Sequence, residues 1–160
     1  MSTRTLAALR AFGLLFLFGF VAAAAGGPDV HGKLAGPAEV KAGAKTTIAV
    51  EMTIGPGWHV NSHTPSEPYL IPTAASLTAS KGTLSAIRYA RDEEKRFSFS
   101  DKPLRVYTGT VRFETDLDIP AGASGDVAVE GTLSYQACND QQCFPPAKIP
   151  LKTSAKITSR

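Results

Sequence analysis

Residues 47–54 read TIAVEMTI. Ile48, Val50, Met52 and Ile54 fall on one face of this stretch, an alternation of period two that marks a half-buried strand. The same alternation recurs in DVAVEGTLSYQAC (126–138), where Val127, Val129, Leu133 and Tyr135 share a face. LRVYTGTVRFETDL (104–117) is rich in strand formers, among them Val106, Tyr107, Val111 and Phe113. Shorter strands are expected in GWHVNS (57–62), AASLTA (74–79), LSAIRYA (84–90) and AKIPLKTSAKI (147–157). Turn residues separate them in KAGAK, GPG, SKG, SDKP and PAGASGD. Beyond the amino-terminal segment no stretch of useful length carries a helical period. Short, evenly spaced strands with Gly/Pro turns predict an all-β fold, an antiparallel sandwich of the immunoglobulin-like kind. The usual inter-sheet disulfide of such domains is missing, because it needs cysteines far apart and this chain has only Cys138 and Cys143.

The amino terminus bears on the compartment. Arg4 and Arg10 precede AFGLLFLFGFVAAAA (11–25), and small residues then lead into GGPD. A basic start, an apolar centre and an A-x-A-type end read as an export signal over residues 1–25, with an uncleaved anchor as the alternative. No cysteine lies at the cleavage region, so a lipoprotein anchor is not expected. Residues 26–160 then make one domain of about 135 residues with one core. Arg4 and Arg10 are two of 17 basic residues, and all 14 acidic ones lie downstream, so the mature part is close to neutral. Nothing in that balance suggests a nucleic-acid surface. The expected fate of the chain is export from the cytoplasm.

Export places the cysteines in an oxidising compartment, where a pair is expected to form a disulfide. SYQACNDQQCFPP (134–146) reads as a hairpin with Cys138 ending one strand, NDQQ turning, and Cys143 beginning the return. Directly opposed residues have Cα atoms about 4.5–5.5 Å apart, which a disulfide can span. A ring this short stabilises by only about 2 kcal/mol, so it is an inefficient staple. Pro145 and Pro146 predict an open edge from which another thiol can approach Cys143, whereas Cys138 follows an inward-facing strand. Spacing alone leaves a structural clip and a redox switch both open.

Three segments together resemble a known family, the amino-terminal periplasmic domain of the thiol:disulfide interchange protein DsbD. YQACNDQQCFPP is similar to its active-site segment, IGPGWHVNSHTP with the following LIPT to its Gly-Trp-His segment, and RVYTGTVRFETDL to the strand after its cap loop. The resemblance covers nearly all of the mature chain. It implies an immunoglobulin-like fold and a shuttle that passes electrons from a membrane or thioredoxin-like reductant to exported oxidoreductases. It implies that Cys143 forms the mixed disulfide with a thioredoxin-fold partner and that Cys138 resolves it. It also implies an aromatic cap over the pair, with Phe97 and Phe99 in the matching loop and Tyr135 and Phe144 beside the cysteines. Well-known members place one more residue between the cysteines. The membrane segment and thioredoxin-like module of DsbD have no counterpart in this sequence, so the expected reductant is a separate membrane electron-transfer protein.

Other residues carry less. Trp58 is expected to pack in the core or anchor a loop. GPGWHVNSHTPSEPYLIPT (55–73) and RDEEKRFSFSDK (91–102) are long for tight turns and read as functional loops, RDEEKR as a solvated surface. Asp92, Glu93, Glu94 and Asp101 are candidates for raising the pKa of a nearby thiol. His59 and His63 sit four apart, with His31 upstream; a Cys/His metal site would need reduced cysteines, which export disfavours. No cofactor is expected, and no hydrolase, phosphate-loop or metalloprotease motif occurs. Three functions follow in order: a thiol–disulfide carrier, a non-catalytic binding module with a structural clip, and a periplasmic metal carrier.

Overall fold

The computed structural model describes residues 27–159, so the expected signal over residues 1–25 lies outside the described residues. The strands are β1 (Val30–Ala35), β2 (Glu39–Lys41), β3 (Lys45–Ile54), β4 (His59–Asn61), β5 (Ala74–Ala79) and β6 (Thr83–Leu84). They continue with β7 (Glu93–Lys95), β8 (Leu104–Tyr107), β9 (Gly109–Asp118), β10 (Gly125–Tyr135), β11 (Ala137–Cys138) and β12 (Ala147–Thr158). No helix occurs among the described residues.

One four-stranded sheet runs β1-β3-β9-β6 and a second β2-β12-β10-β5. All pairings are antiparallel except the short contact of β2 with the end of β12. The alternation of β3 works as the sequence demands: Ile48, Val50, Met52 and Ile54 are buried and meet Phe113 and Leu117 of β9. Val127, Val129, Leu133 and Tyr135 of β10 face them from the second sheet, with Leu151 and Ile157 of β12. Each such side chain contributes roughly 1.5–3 kcal/mol on burial, and the two inner faces together make one core. The fold is the all-β, immunoglobulin-like antiparallel sandwich.

A third sheet, β11-β4-β8-β7, carries Cys138, to which Cys143 is joined by a single bridge. It exists because one long strand changes sheet. β10 pairs with β12 as far as Tyr135, Gln136 interrupts, and Ala137–Cys138 then pair with Val60 and His59 of β4.

Three expectations need correction. RDEEKR is not all loop: Glu93–Lys95 form β7 and pair with Leu104–Val106. Its charged side chains suit an edge strand, whose pairing uses only the backbone, and so they hid it. LSAIRYA is a strand only at its start, with a single further bridge between Arg88 and Glu114. The return arm after Cys143 is not yet strand; the ladder resumes at Ala147, after two prolines that cannot donate to it. β1 and β2 were not expected at all, because VHGKLA carries a mid-strand glycine and EVK is too short to show a period.

Candidate functional site

Asn139 builds the turn between the cysteines. Its side-chain carboxamide oxygen accepts the backbone N–H of Gln141 and of Gln142, both at 2.9 Å, a turn that asparagine favours. The Asn139 N–H donates to Gln142 O at 2.9 Å and the Phe144 N–H to Ala137 O at 2.8 Å. These two bonds flank the cysteines, which therefore form a non-hydrogen-bonded pair, the arrangement that brings opposed side chains closest. Cys138 and Cys143 are disulfide-bonded, with Cα atoms 3.9 Å apart, nearer than the spacing expected from sequence. Their surroundings differ. Cys138 is 1% exposed, whereas Cys143 is exposed to solvent.

Gln136 ties the hairpin to its neighbours. Its side-chain oxygen accepts from Asn61 Nδ2 at 3.1 Å and from the Ile71 N–H at 3.4 Å, and its Nε2 donates to Phe144 O at 3.2 Å. One side chain thus joins β4, the proline-rich loop and the arm beyond Cys143. Nothing in the alternation pointed to this residue; its position at the change of sheet is what gives it the task.

The segment expected to cap the cysteines is a hairpin, β7–β8, whose tip holds Phe97 and Phe99. Phe97 stacks on the His59 imidazole, with centroids 4.1 Å apart and planes 21° from parallel. It also packs on buried Leu70, Leu104 and Val106. Phe99 stacks on Phe97 at 5.3 Å and remains 43% exposed. Ser98 Oγ donates to Asp140 O at 3.4 Å, so the hairpin tip touches the cysteine turn. At the base, Asp92 accepts from buried Ser62 Oγ and lies 2.8 Å from Arg105 Nη2. The aromatics flanking the cysteines lie elsewhere. Phe144 meets Trp58 edge-on at 5.1 Å, and Tyr135 belongs to the sandwich core, where burial pushes its phenol up.

His59 is 3% exposed, and desolvation lowers its pKa to about 4; Lys95 also lowers it, against an upward pull from Asp140. The imidazole is neutral at neutral pH, and this has a consequence for stability. Between pH 6.5 and about 4 the unfolded chain binds a proton that the folded chain refuses, so stability is lost as pH falls through that window. Urea melts at pH 7 and pH 4 should show a larger loss for the wild type than for His59→Gln. Equal losses would exclude this account.

Of the carboxylates expected near a thiol, Asp92 is engaged at the base of the β7–β8 hairpin, and Glu93 pairs with Lys95 at 3.4 Å. The acidic residue in the cysteine turn is Asp140. His63 stacks on Tyr89 at 3.5 Å, apart from the neighbours of His59, and His31 pairs with Asp29 at 3.0 Å. Among the described residues no three His, Cys, Asp or Glu side chains gather as a metal site. A cavity of about 340 Å³ that reaches the cysteine turn at Asp140 is lined by Trp58, His59, Lys95, Phe97 and Thr108, among others.

The family model described as the amino-terminal part of the thiol:disulfide interchange protein DsbD matches residues 31–154. The chain belongs to this family. Its match takes in both cysteines, the β7–β8 hairpin and the Gly-Trp-His segment, so the DsbD-type resemblance of the sequence holds over the whole site. No curated protein matches the chain. Among solved structures, the Neisseria meningitidis DsbD amino-terminal domain in its reduced form aligns at 17% identity with a TM-score of 0.46, covering 72% of this chain and 82% of that one. The amino-terminal periplasmic domain of ScsB from Proteus mirabilis aligns at 18% identity with a TM-score of 0.49, covering 74% of this chain. The present chain spans 44% of that Proteus chain.

Proposed function

We propose that this protein is a periplasmic thiol–disulfide interchange carrier, exported by residues 1–25 and working through the Cys138–Cys143 pair of the domain over residues 26–160. The observation that carries the reading is a disulfide between one cysteine buried in a sheet and one exposed, beside an aromatic hairpin, in a member of the DsbD amino-terminal family. A reductant thiolate attacks the Cys143 sulfur, Cys138 leaves as thiolate, and a second thiol of the reductant releases the dithiol carrier. The Cys143 thiolate then attacks a target disulfide, and Cys138 displaces the reduced target. The reactants are thiols and disulfides throughout, and the chain acts as a thiol–disulfide oxidoreductase without a cofactor. Its partners are thioredoxin-fold proteins and a membrane electron-transfer protein.

A carrier must survive in both redox states. A disulfide closing so short a ring stabilises by about 2 kcal/mol, small against the burial of two inner sheet faces. Dithiothreitol should therefore open the bond while circular dichroism stays native, and urea melts should show a loss of about that size. Complete unfolding on reduction in native buffer would overturn the carrier and leave the disulfide as a structural clip.

A further inference from the structure

His59 is the cross-strand partner of Cys138: the register of β4 and β11 sets the two residues directly opposite. Directly opposed residues in an antiparallel pair project to the same face, with Cβ atoms about 4.5–5.5 Å apart. The imidazole and the buried sulfur therefore project from opposed positions on one face of the sheet. The imidazole Nε2 is buried and has no hydrogen-bond partner among the described residues. A buried polar atom normally finds a partner, so one left open beside a reactive group asks for a role. The disulfide offers no proton to bond; the reduced state of Cys138 does.

We propose that His59 is the proton acceptor of the Cys138 thiol during the resolving step, held idle beneath Phe97 while the cap is closed. This rests on the carrier reading above. In the mixed disulfide, Cys143 is bonded to the partner's sulfur and Cys138 is a thiol shielded from water. Cys138 passes its proton to the open nitrogen of neutral His59 as its sulfur attacks Cys143. The Cys138–Cys143 bond forms, the Cys143–partner bond breaks, and the partner leaves as a thiolate carrying the electron pair. The imidazolium then returns its proton to solvent. The reverse direction uses the same proton: Cys138 leaves as a thiolate and takes it from the imidazolium.

The surroundings fit that duty. Phe97 covers the ring, and the charged groups around it are Lys95 on β7 and Asp140 in the cysteine turn. Lys95 is itself engaged by Glu93 at 3.4 Å and by Thr108 at 3.3 Å, so its repulsion is partly offset. Asp140 favours the imidazolium. Lifting Phe97 admits water to the ring and removes the desolvation that keeps it a poor base. Phe97 thus governs the basicity of the group that deprotonates Cys138.

The test needs no cognate partner. Reduced protein mixed with 5,5′-dithiobis(2-nitrobenzoate) releases one nitrothiobenzoate as Cys143 is modified, then a second as Cys138 displaces the adduct. General-base assistance is worth about 10²–10⁴-fold, so His59→Gln should slow the second release at pH 7 by at least about tenfold while the first changes by less than about twofold. Added imidazole should restore the second phase in His59→Ala, since the site opens on a cavity. A second phase unchanged in rate and pH profile, equal slowing of both phases, or no rescue by imidazole would each overturn the proposal. Should the variants fail to fold, the wild type decides. An inflection of its second phase between about 4 and 6.5 supports His59, and one only in the thiol range above about 8 overturns it. A wild type that never releases the second nitrothiobenzoate overturns the carrier reading itself, which separates the two failures.

Discussion

Cys138→Ser should trap a stable mixed disulfide with a thioredoxin-fold protein of the periplasm, and Cys143→Ser should trap little or none. The expectation follows from unequal access. Cys143 is exposed, precedes Phe144 and two prolines, and sits on an arm not paired as strand until Ala147. An incoming thiolate must approach a disulfide sulfur opposite its leaving group, and only an accessible sulfur permits that. Cys138 is enclosed by its pairing with β4. With Cys138 replaced, the adduct on Cys143 has no resolving thiol and persists. With Cys143 replaced, the remaining thiol is the buried one. Non-reducing electrophoresis of tagged variants from the native periplasm, with mass spectrometry of the adducts, measures this. The opposite pattern would reverse the two roles; adducts with neither variant would favour the structural clip.

Phe97→Ala should raise the alkylation rate of the reduced thiols by iodoacetamide about tenfold, while Phe99→Ala should change it by less than about twofold. Sequence alone treats the two phenylalanines as a pair, but the structure separates them. Phe97 stacks on His59 and packs on Leu70, Leu104 and Val106, so its removal should loosen the hairpin whose tip touches the cysteine turn. A stacked aromatic contact is worth about 0.5–1.5 kcal/mol beyond its buried area, and about 1.4 kcal/mol is a tenfold change in the open population. Phe99 lies on the outer side of Phe97 and is largely in water, so little is lost with it. The sandwich core does not include either ring, so both variants should keep native circular dichroism. Equal rates for Phe97→Ala and wild type would remove Phe97 from the cap.

The fold was legible because a sandwich writes its pattern along the chain. Each long strand of the two main sheets buries one face, so β3 and β10 alternate in sequence as they do in space. The candidate site was legible only as a segment. Two cysteines five positions apart, followed by two prolines, announce a hairpin and an exposed arm, and local geometry is enough to close the bond. The edge strand β7 was not legible, since backbone pairing leaves no mark on three charged residues.

What the amino-acid sequence determined by itself was therefore local and periodic: strand faces, turns, the cysteine hairpin and the family. What the tertiary structure alone decided was which residues from distant segments meet at that hairpin. The change of sheet at Gln136 puts Cys138 opposite His59, 79 positions back along the chain. The β7–β8 hairpin then lays Phe97 on that imidazole. Such meetings depend on strand register between remote segments, which side-chain period does not encode. They also set the burial that keeps His59 neutral, because desolvation belongs to the packed surroundings and not to the residue.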